Sequence, residues 1–283
     1  MLISIITVVL NRETTVEDTL RSVLTQTYPH IECIVVDGGS VDNTVSIIEK
    51  CVPLFEGRLK YISEADSGVY EAMNKGLQMA AGDVVGYLNS DDVFKDRHVI
   101  ETIAQTFEQP EIDAVFGNVL YRKRNGERLL RRYSGNYFNP GMLPYGIMPP
   151  HPSFYARKRR MGRHYAIGQH PHPSFYARKS CYIKSRGFNS NFRIAGDYEL
   201  FLRFFLKERI CYRYLDLDVV VMRFGGISNR SFYSVLCGNS IELMKACRIN
   251  GIYTNWLMLF SRFFMKVGGV IRWLIVPHYI WRK

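Results

Sequence analysis

A chain of 283 residues, 47% of them hydrophobic, buries one large core, or one core with a smaller appendage, and is not disordered. Its net charge of +11 is unevenly spread: Met1 to Asn118 carries 8 Lys and Arg against 19 Asp and Glu, a net −11, and Val119 to Lys283 carries 29 against 7, a net +22. The six cysteines (Cys33, Cys51, Cys181, Cys211, Cys237, Cys247) have no C-x-x-C spacing, which argues against a zinc site or a disulfide framework and predicts buried or idle thiols.

Leu2 to Val9 is a continuous apolar, β-branched run, and no basic leader or cleavable apolar segment precedes it, so secretion is not expected. Thr15 to Leu24 carries Val16, Leu20, Val23 and Leu24 at helical spacing until Tyr28-Pro29 stops it. Ile31 to Val36 is a second buried strand, closed by Asp37-Gly38-Gly39-Ser40, and Asp42 to Lys50 a helix capped by Asp42 or Asn43. Leu59 to Ser63, Val84 to Leu88 and Ala114 to Tyr121 read as strands, Val69 to Ala80 and Arg97 to Phe107 as helices. Strands separated by helices call for a parallel sheet with right-handed crossovers and a ligand site at the strand carboxyl ends, where Asp37 and the Asp91-Asp92 pair fall. Adjacent carboxylates at the end of a buried strand repel one another, and a divalent cation between them and a phosphate relieves that cost.

Beyond Tyr121 come a basic hairpin-like segment, Arg122 to Arg132 with a turn at Asn125-Gly126, and an uncharged stretch, Tyr133 to Ala156, that Pro140, Pro144, Pro149, Pro150 and Pro152 keep from being a membrane helix. His-Pro-Ser-Phe-Tyr-Ala-Arg-Lys then occurs twice, at His151 to Lys158 and at His172 to Lys179. This reads as a 21-residue insertion near 158–179, not a solenoid; without it Lys158 joins Ser180 and a strand leads into a helix. Between Trp256 and Lys283, apolar residues alternate with Arg262, Lys266 and Arg272, three cations within about a third of a helix circumference. An amphipathic helix on an anionic membrane surface is the expectation, a helix packed on the core the alternative, and nucleic acid the less favoured polyanion. No helix-compatible uncharged run there reaches the roughly 18 residues of a membrane span.

Five motifs, in order, resemble those of the inverting family-2 glycosyltransferases with the GT-A fold. Ser4 to Asn11 resembles their first strand, Val35 to Thr44 their nucleotide-base loop, Asp66 to Gly76 a segment near the donor, Asn89-Ser90-Asp91-Asp92 their metal-binding acidic motif, and Ala195 to Leu200 the loop that supplies the base. The resemblance implies an α/β fold: a GT-A, Rossmann-like, mostly parallel sheet flanked by helices, with a C-terminal helical membrane-associating extension. It implies donor binding by Val8, Asp37, Asp66, Lys75 and Asp91, with Asp37 accepting from a uracil ring and Lys75 neutralising diphosphate charge. Asp92 would ligate Mn²⁺ or Mg²⁺, Asp91 reach the ribose or a metal-bound water, and Asp197 act as general base. Asp197 also fits a helix N-cap before Tyr198 to Leu206. His151 and His172 are candidates near the acceptor or diphosphate. Gly38 departs from the Asp-Asp-Gly-Ser of many relatives, and no Gln-x-x-Arg-Trp occurs, which argues against a processive synthase.

The expected organisation is 1–121 as the nucleotide-sugar half, 122–230 as the acceptor and base half, and 231–283 as an amphipathic extension. The expected function is metal-dependent, inverting transfer of one hexosyl unit from a nucleotide-sugar, a UDP-sugar by preference, to a glycan or lipid-diphosphate-linked acceptor in polysaccharide biosynthesis. The expected location is cytoplasmic, peripheral on the inner face of the cell membrane. The alternatives are a silent basic protein binding membrane or polyanion on the same scaffold and a dinucleotide oxidoreductase, the latter opposed by the missing G-x-G-x-x-G.

Overall fold

The computed structural model describes residues 1–122, 129–148, 155–157, 164–166, 174–223 and 239–261, with backbone alone at 129–131, 155–157, 164–166 and 239. Its strands are β1 Ile3–Val9, β2 Ile31–Asp37, β3 Leu59–Ser63, β4 Val84–Tyr87, β5 Val93–Phe94, β6 Ala114–Arg122, β7 Leu129–Tyr133, β8 Tyr155–Arg157, β9 His164–Ala166, β10 Phe175–Arg178 and β11 Tyr212–Arg223. Its α-helices are α1 Val16–Leu24, α2 Thr44–Cys51, α3 Val69–Met79, α4 Val99–Phe107, α5 Lys179–Lys184, α6 Gly196–Leu202 and α7 Asn239–Ile249. The main sheet runs β3-β2-β1-β4-β10-β6-β11-β5, with β7 against β6. The β1–β2, β2–β3, β1–β4 and β6–β11 pairs are parallel; β10 is antiparallel to both neighbours.

Helices cover both faces, which is why β1 and β2 read as unbroken apolar runs. One face packs Ile6, Ile34 and Val36 against α3, α6 and α7; the other packs Ile3, Ile5 and Val35 against α1, α2 and α4. Two glycines set the close approaches. A Cβ on Gly76 would stand 2.4 Å from Ile6 Cγ2, so α3 lies tight on β1; a Cβ on Gly86 would stand 2.1 Å from the ring of Tyr176, which crosses β4 there.

Tyr176 belongs to the second copy of the repeated octapeptide, so that copy takes the sheet position and runs directly into α5. Arg178 donates to the carbonyls of Ile112 (2.8 Å), Phe107 (3.1 Å) and Gln109 (3.2 Å), and Lys179 to that of Ala80 (2.5 Å). In the first copy, Tyr155–Arg157 pairs instead with β9 in a separate two-stranded sheet. β10 thus lies between β4 and β6, antiparallel to both.

Helix α7, within the expected extension, packs on α6 with Leu243, Ala246 and Cys247 fully buried. Among the described residues no helix is long and apolar enough to cross a membrane. Cys33, Cys51, Cys181 and Cys247 are buried free thiols and Cys211 is exposed.

Candidate active site

β2 ends in Asp37, which is fully buried. Its Oδ2 accepts from the N–H groups of Gly39 (3.1 Å) and Ser40 (2.9 Å) and from Ser63 Oγ (2.7 Å), and its Oδ1 accepts from Ser40 Oγ (2.5 Å). A carboxylate offers about four acceptor positions, so this one is occupied in shaping its own turn and in tying it to Ser63 at the end of β3. Asn11, in the left-handed region at φ 52°, ties the end of β1 to the same turn: its Oδ1 accepts from Val41 N–H (2.9 Å) and its N–H donates to Ser40 Oγ (2.7 Å). Val8, half-buried, lines the α3 side of β1 just below.

Asp66 comes up against this turn from the β3–α3 loop. Its Oδ2 would lie 2.6 Å from a Cβ on Gly38, so the missing side chain at that position leaves room for the Asp66 carboxylate. Burial raises the Asp66 pKa against the N–H of Gly68, which donates to it at 2.9 Å. The Lys75 ammonium is held by Glu64 (2.8 Å) and Glu71 (3.3 Å), so its charge is balanced locally and ties the loop to α3.

On the other side of β1, α1 grips the loop after β4: Thr15 Oγ1 donates to the Ser90 carbonyl and Thr19 Oγ1 to that of Asp92, both at 2.8 Å. Asp91 is half-exposed, whereas Asp92 is 1% exposed. Asp92 Oδ2 accepts from Asn89 Nδ2 (2.8 Å); its Oδ1 is buried with no hydrogen-bond partner. Burial first, and then the charge of Asp91, push its pKa well above the ordinary range. An all-oxygen pair with one orphaned buried oxygen fits a hard divalent cation, which one or two carboxylates hold when a substrate phosphate supplies further ligands. Among the described residues no group of three or more His, Cys, Asp or Glu could hold a metal ion by protein ligands alone.

Asp197 is the third acid, fully buried. The helix begins two residues earlier than the sequence suggests: Ala195 is its N-cap and Asp197 its second residue, so the capping expectation is corrected. Its Oδ1 accepts from the N–H of Tyr198 (2.7 Å) and lies 3.2 Å from Tyr70 Oη, whose one proton it shares with the Ile194 carbonyl at 2.6 Å. Burial dominates, and the carboxyl is pushed up to about 7. Tyr70 is the second residue of α3, which leaves the carboxyl end of β3, so Asp197 stands at the same sheet edge as Asp37 and Asp92. Gly196 is needed for this approach, since a Cβ there would meet the Tyr70 ring at 2.8 Å. The helix continues as a wider turn, Arg203–Lys207, and Arg203 pairs with buried Glu199 through Nε (2.9 Å) and Nη2 (2.5 Å).

His151 and His172 lie outside the described residues, as do Arg262, Lys266 and Arg272. Two residues at the site were missed by the sequence reading. Tyr70 sat in a recognised motif without a role. Glu242 on α7 accepts backbone N–H groups of the loop leading to Asp197; it is the sole acid between Asp218 and Lys283, a signal that was available.

A family profile described as "Glycosyl transferase family 2" matches residues 4–181. A "PGL/p-HBAD biosynthesis glycosyltransferase" of Mycobacterium bovis is 28% identical over 228 residues, 80% of this chain and 78% of that protein. "Glycosyltransferase GlyG" of Streptococcus pneumoniae is 32% identical over 118 residues, 41% of this chain and 38% of that protein. Among solved structures, S. aureus TarS 1–349 in complex with UDP-GlcNAc superposes with a TM-score of 0.58 at 18% identity, covering 86% of this chain and 66% of that one. A mannosyltransferase from Pyrobaculum calidifontis in complex with GDP-Man and Mn²⁺ gives 0.55 at 16% identity, covering 86% and 62%. This chain spans less than two thirds of each of these two structures. At such identities the likeness concerns the fold, a GT-A sheet curled between helices.

Proposed function

We propose, on the premise that this chain belongs to glycosyl transferase family 2 and is a glycosyltransferase, that it moves one sugar from a UDP-sugar to a glycan or lipid-linked hydroxyl with inversion. The observation that carries this reading is Asp197, a buried carboxyl with a pKa of about 7 beside the edge that bears Asp37 and Asp92. Such a group accepts a proton near neutral pH. In the proposed step the acceptor oxygen attacks the anomeric carbon as its proton passes to Asp197, and the bond from that carbon to the diphosphate oxygen breaks with its electron pair on the diphosphate. The 37–40 turn and Asp66 bound the nucleotide, with Asp91 reaching the ribose. Asp92 would hold Mn²⁺ or Mg²⁺, whose Lewis-acid charge favours departure of the diphosphate.

The test is UDP release from a panel of UDP-sugars with a glycan acceptor, with Mn²⁺ or with EDTA. Turnover only with metal and only with Asp197 intact is expected. Turnover with GDP-sugars alone would overturn the UDP assignment, and neither turnover nor UDP affinity would favour the silent basic binder.

Peripheral membrane docking is part of the same reading. Tyr253, Trp256, Leu257 and Phe260 are exposed while Leu259 between them is buried, so the helical turn 256–261 offers one apolar side outward. Flotation with anionic liposomes should be lost on truncation before Trp256; equal flotation would refute it.

A further inference from the structure

Helix α7 and Asn250 just after it grip the segment that carries Asp197 at four places. Lys245 Nζ lies 4.9 Å over the ring of Phe192. Glu242 accepts from three successive backbone N–H groups, Arg193 through Oε1 (3.1 Å) and Ile194 and Ala195 through Oε2 (2.9 and 2.8 Å). Cys247 Sγ lies 3.0 Å from Tyr198 Oη, and Asn250 donates to Glu199 at 3.0 Å. From the opposite side Tyr70 donates to the Ile194 carbonyl at 2.6 Å and contacts Asp197 at 3.2 Å. Ile194 is thus pinned at its N–H by α7 and at its C=O by α3.

We propose that Glu242 and Tyr70 are a pair of positioning residues that fix the 193–195 loop from two sides and so aim the Asp197 carboxylate at the acceptor hydroxyl. This rests on the reading of Asp197 as the base. An ordinary loop would have its N–H groups in water; here one half-buried carboxylate collects three of them immediately before the helix that carries the base. The pair also acts on the proton affinity of Asp197 in opposite senses, Glu242 by its charge raising it and Tyr70 by its hydrogen bond lowering it. The ionisable groups that act on Asp197 include Tyr70 from α3 and Glu242 from α7, and its own helix contributes the backbone N–H groups of Tyr198 and of Asp197 itself.

The experiment is the pH profile of kcat/KM for wild type, Glu242→Gln, Glu242→Asp and Tyr70→Phe, with Asp197→Asn as reference. In wild type the acid limb is centred near the pKa of about 7. Glu242→Gln should move that limb to lower pH and reduce kcat roughly ten- to hundredfold with donor KM nearly unchanged. Glu242→Asp keeps the charge at shorter reach, so kcat should fall while the limb stays. Tyr70→Phe keeps the ring packed on Gly196 and should move the limb to higher pH, which makes the test independent of whether Glu242→Gln folds. Loss of thermal stability with unmoved limbs in both Glu242→Gln and Tyr70→Phe would make the pair merely structural and overturn the proposal. If Asp197→Asn turned over like wild type, the base reading itself would fail, an outcome distinct from unmoved limbs.

Discussion

Two buried carboxylates lie at opposite edges of the sheet in opposite chemical states. Glu32, at the start of β2, is surrounded by donors: Ser4 Oγ and the Ala81 N–H at 2.6 Å, the Gly82 N–H at 3.0 Å and Lys60 Nζ at 3.2 Å. Burial pushes its pKa up, but these donors outweigh burial and the net shift is downward. At Asp197 burial prevails over the Tyr198 N–H and the Tyr70 hydroxyl, and the net shift is upward to about 7. The deeper burial at Asp197 and the richer supply of hydrogen-bond donors at Glu32 both push the two acids apart.

The largest test of this contrast is Asp197→Asn, which should lower kcat by about 10²–10⁴ while the protein stays folded, read by UDP release and thermal denaturation. The matching change at the other edge, Glu32→Gln, should leave kcat near wild type and cost about 1–3 kcal/mol of stability by urea denaturation, because charge-assisted hydrogen bonds are lost. If Glu32→Gln slowed catalysis and left stability intact, the distinction between the two edges would collapse.

Stability against pH sharpens the same point. The Asp197 pKa is raised in the fold, so its contribution is fully present below the ordinary carboxyl pKa of 3.8 and is lost as pH rises towards about 7. The Glu32 pKa is depressed, so its contribution is present above the ordinary 4.5 and is lost as pH falls through the lower folded value. Asp197→Asn should therefore gain stability relative to wild type between pH 4 and 7, and Glu32→Gln should show its deficit at neutral pH and less of it in acid. The opposite slopes would refute the assignment.

The smallest expected effect concerns Tyr176, whose hydroxyl is buried with no hydrogen-bond partner. Tyr176→Phe removes an unsupplied polar group and should be neutral or stabilising by up to ~1 kcal/mol in urea denaturation. A loss above that size would mean the hydroxyl is supplied after all.

Much of this architecture was legible from residue patterns. β1 to β4 and α1 to α4 fall within two residues of their expected bounds, because burial on both faces leaves continuous apolar runs and helical periodicity. β5 is two residues long and carries no periodic signal, and β11 alternates polar residues with a register shift between Tyr214 and Asp218, so neither announced itself. The candidate acids were visible as residue types at strand ends. Their surroundings were not: the Asp37 carboxylate is filled by its own turn and Ser63, the Lys75 charge by Glu64 and Glu71, and Glu242 was read as part of an extension.

Local sequence thus determined the βα order, the acidic strand ends and the family. The octapeptide marks where that information stops, for eight identical residues give one strand between β4 and β6 and another stretch paired with β9. Which copy enters the sheet, and which buried acid holds a proton near neutral pH, were decided by tertiary structure alone. The second depends on neighbours brought from distant positions, Tyr70 and Glu242 around Asp197; the space over Gly86 that Tyr176 fills would suit the tyrosine of either copy.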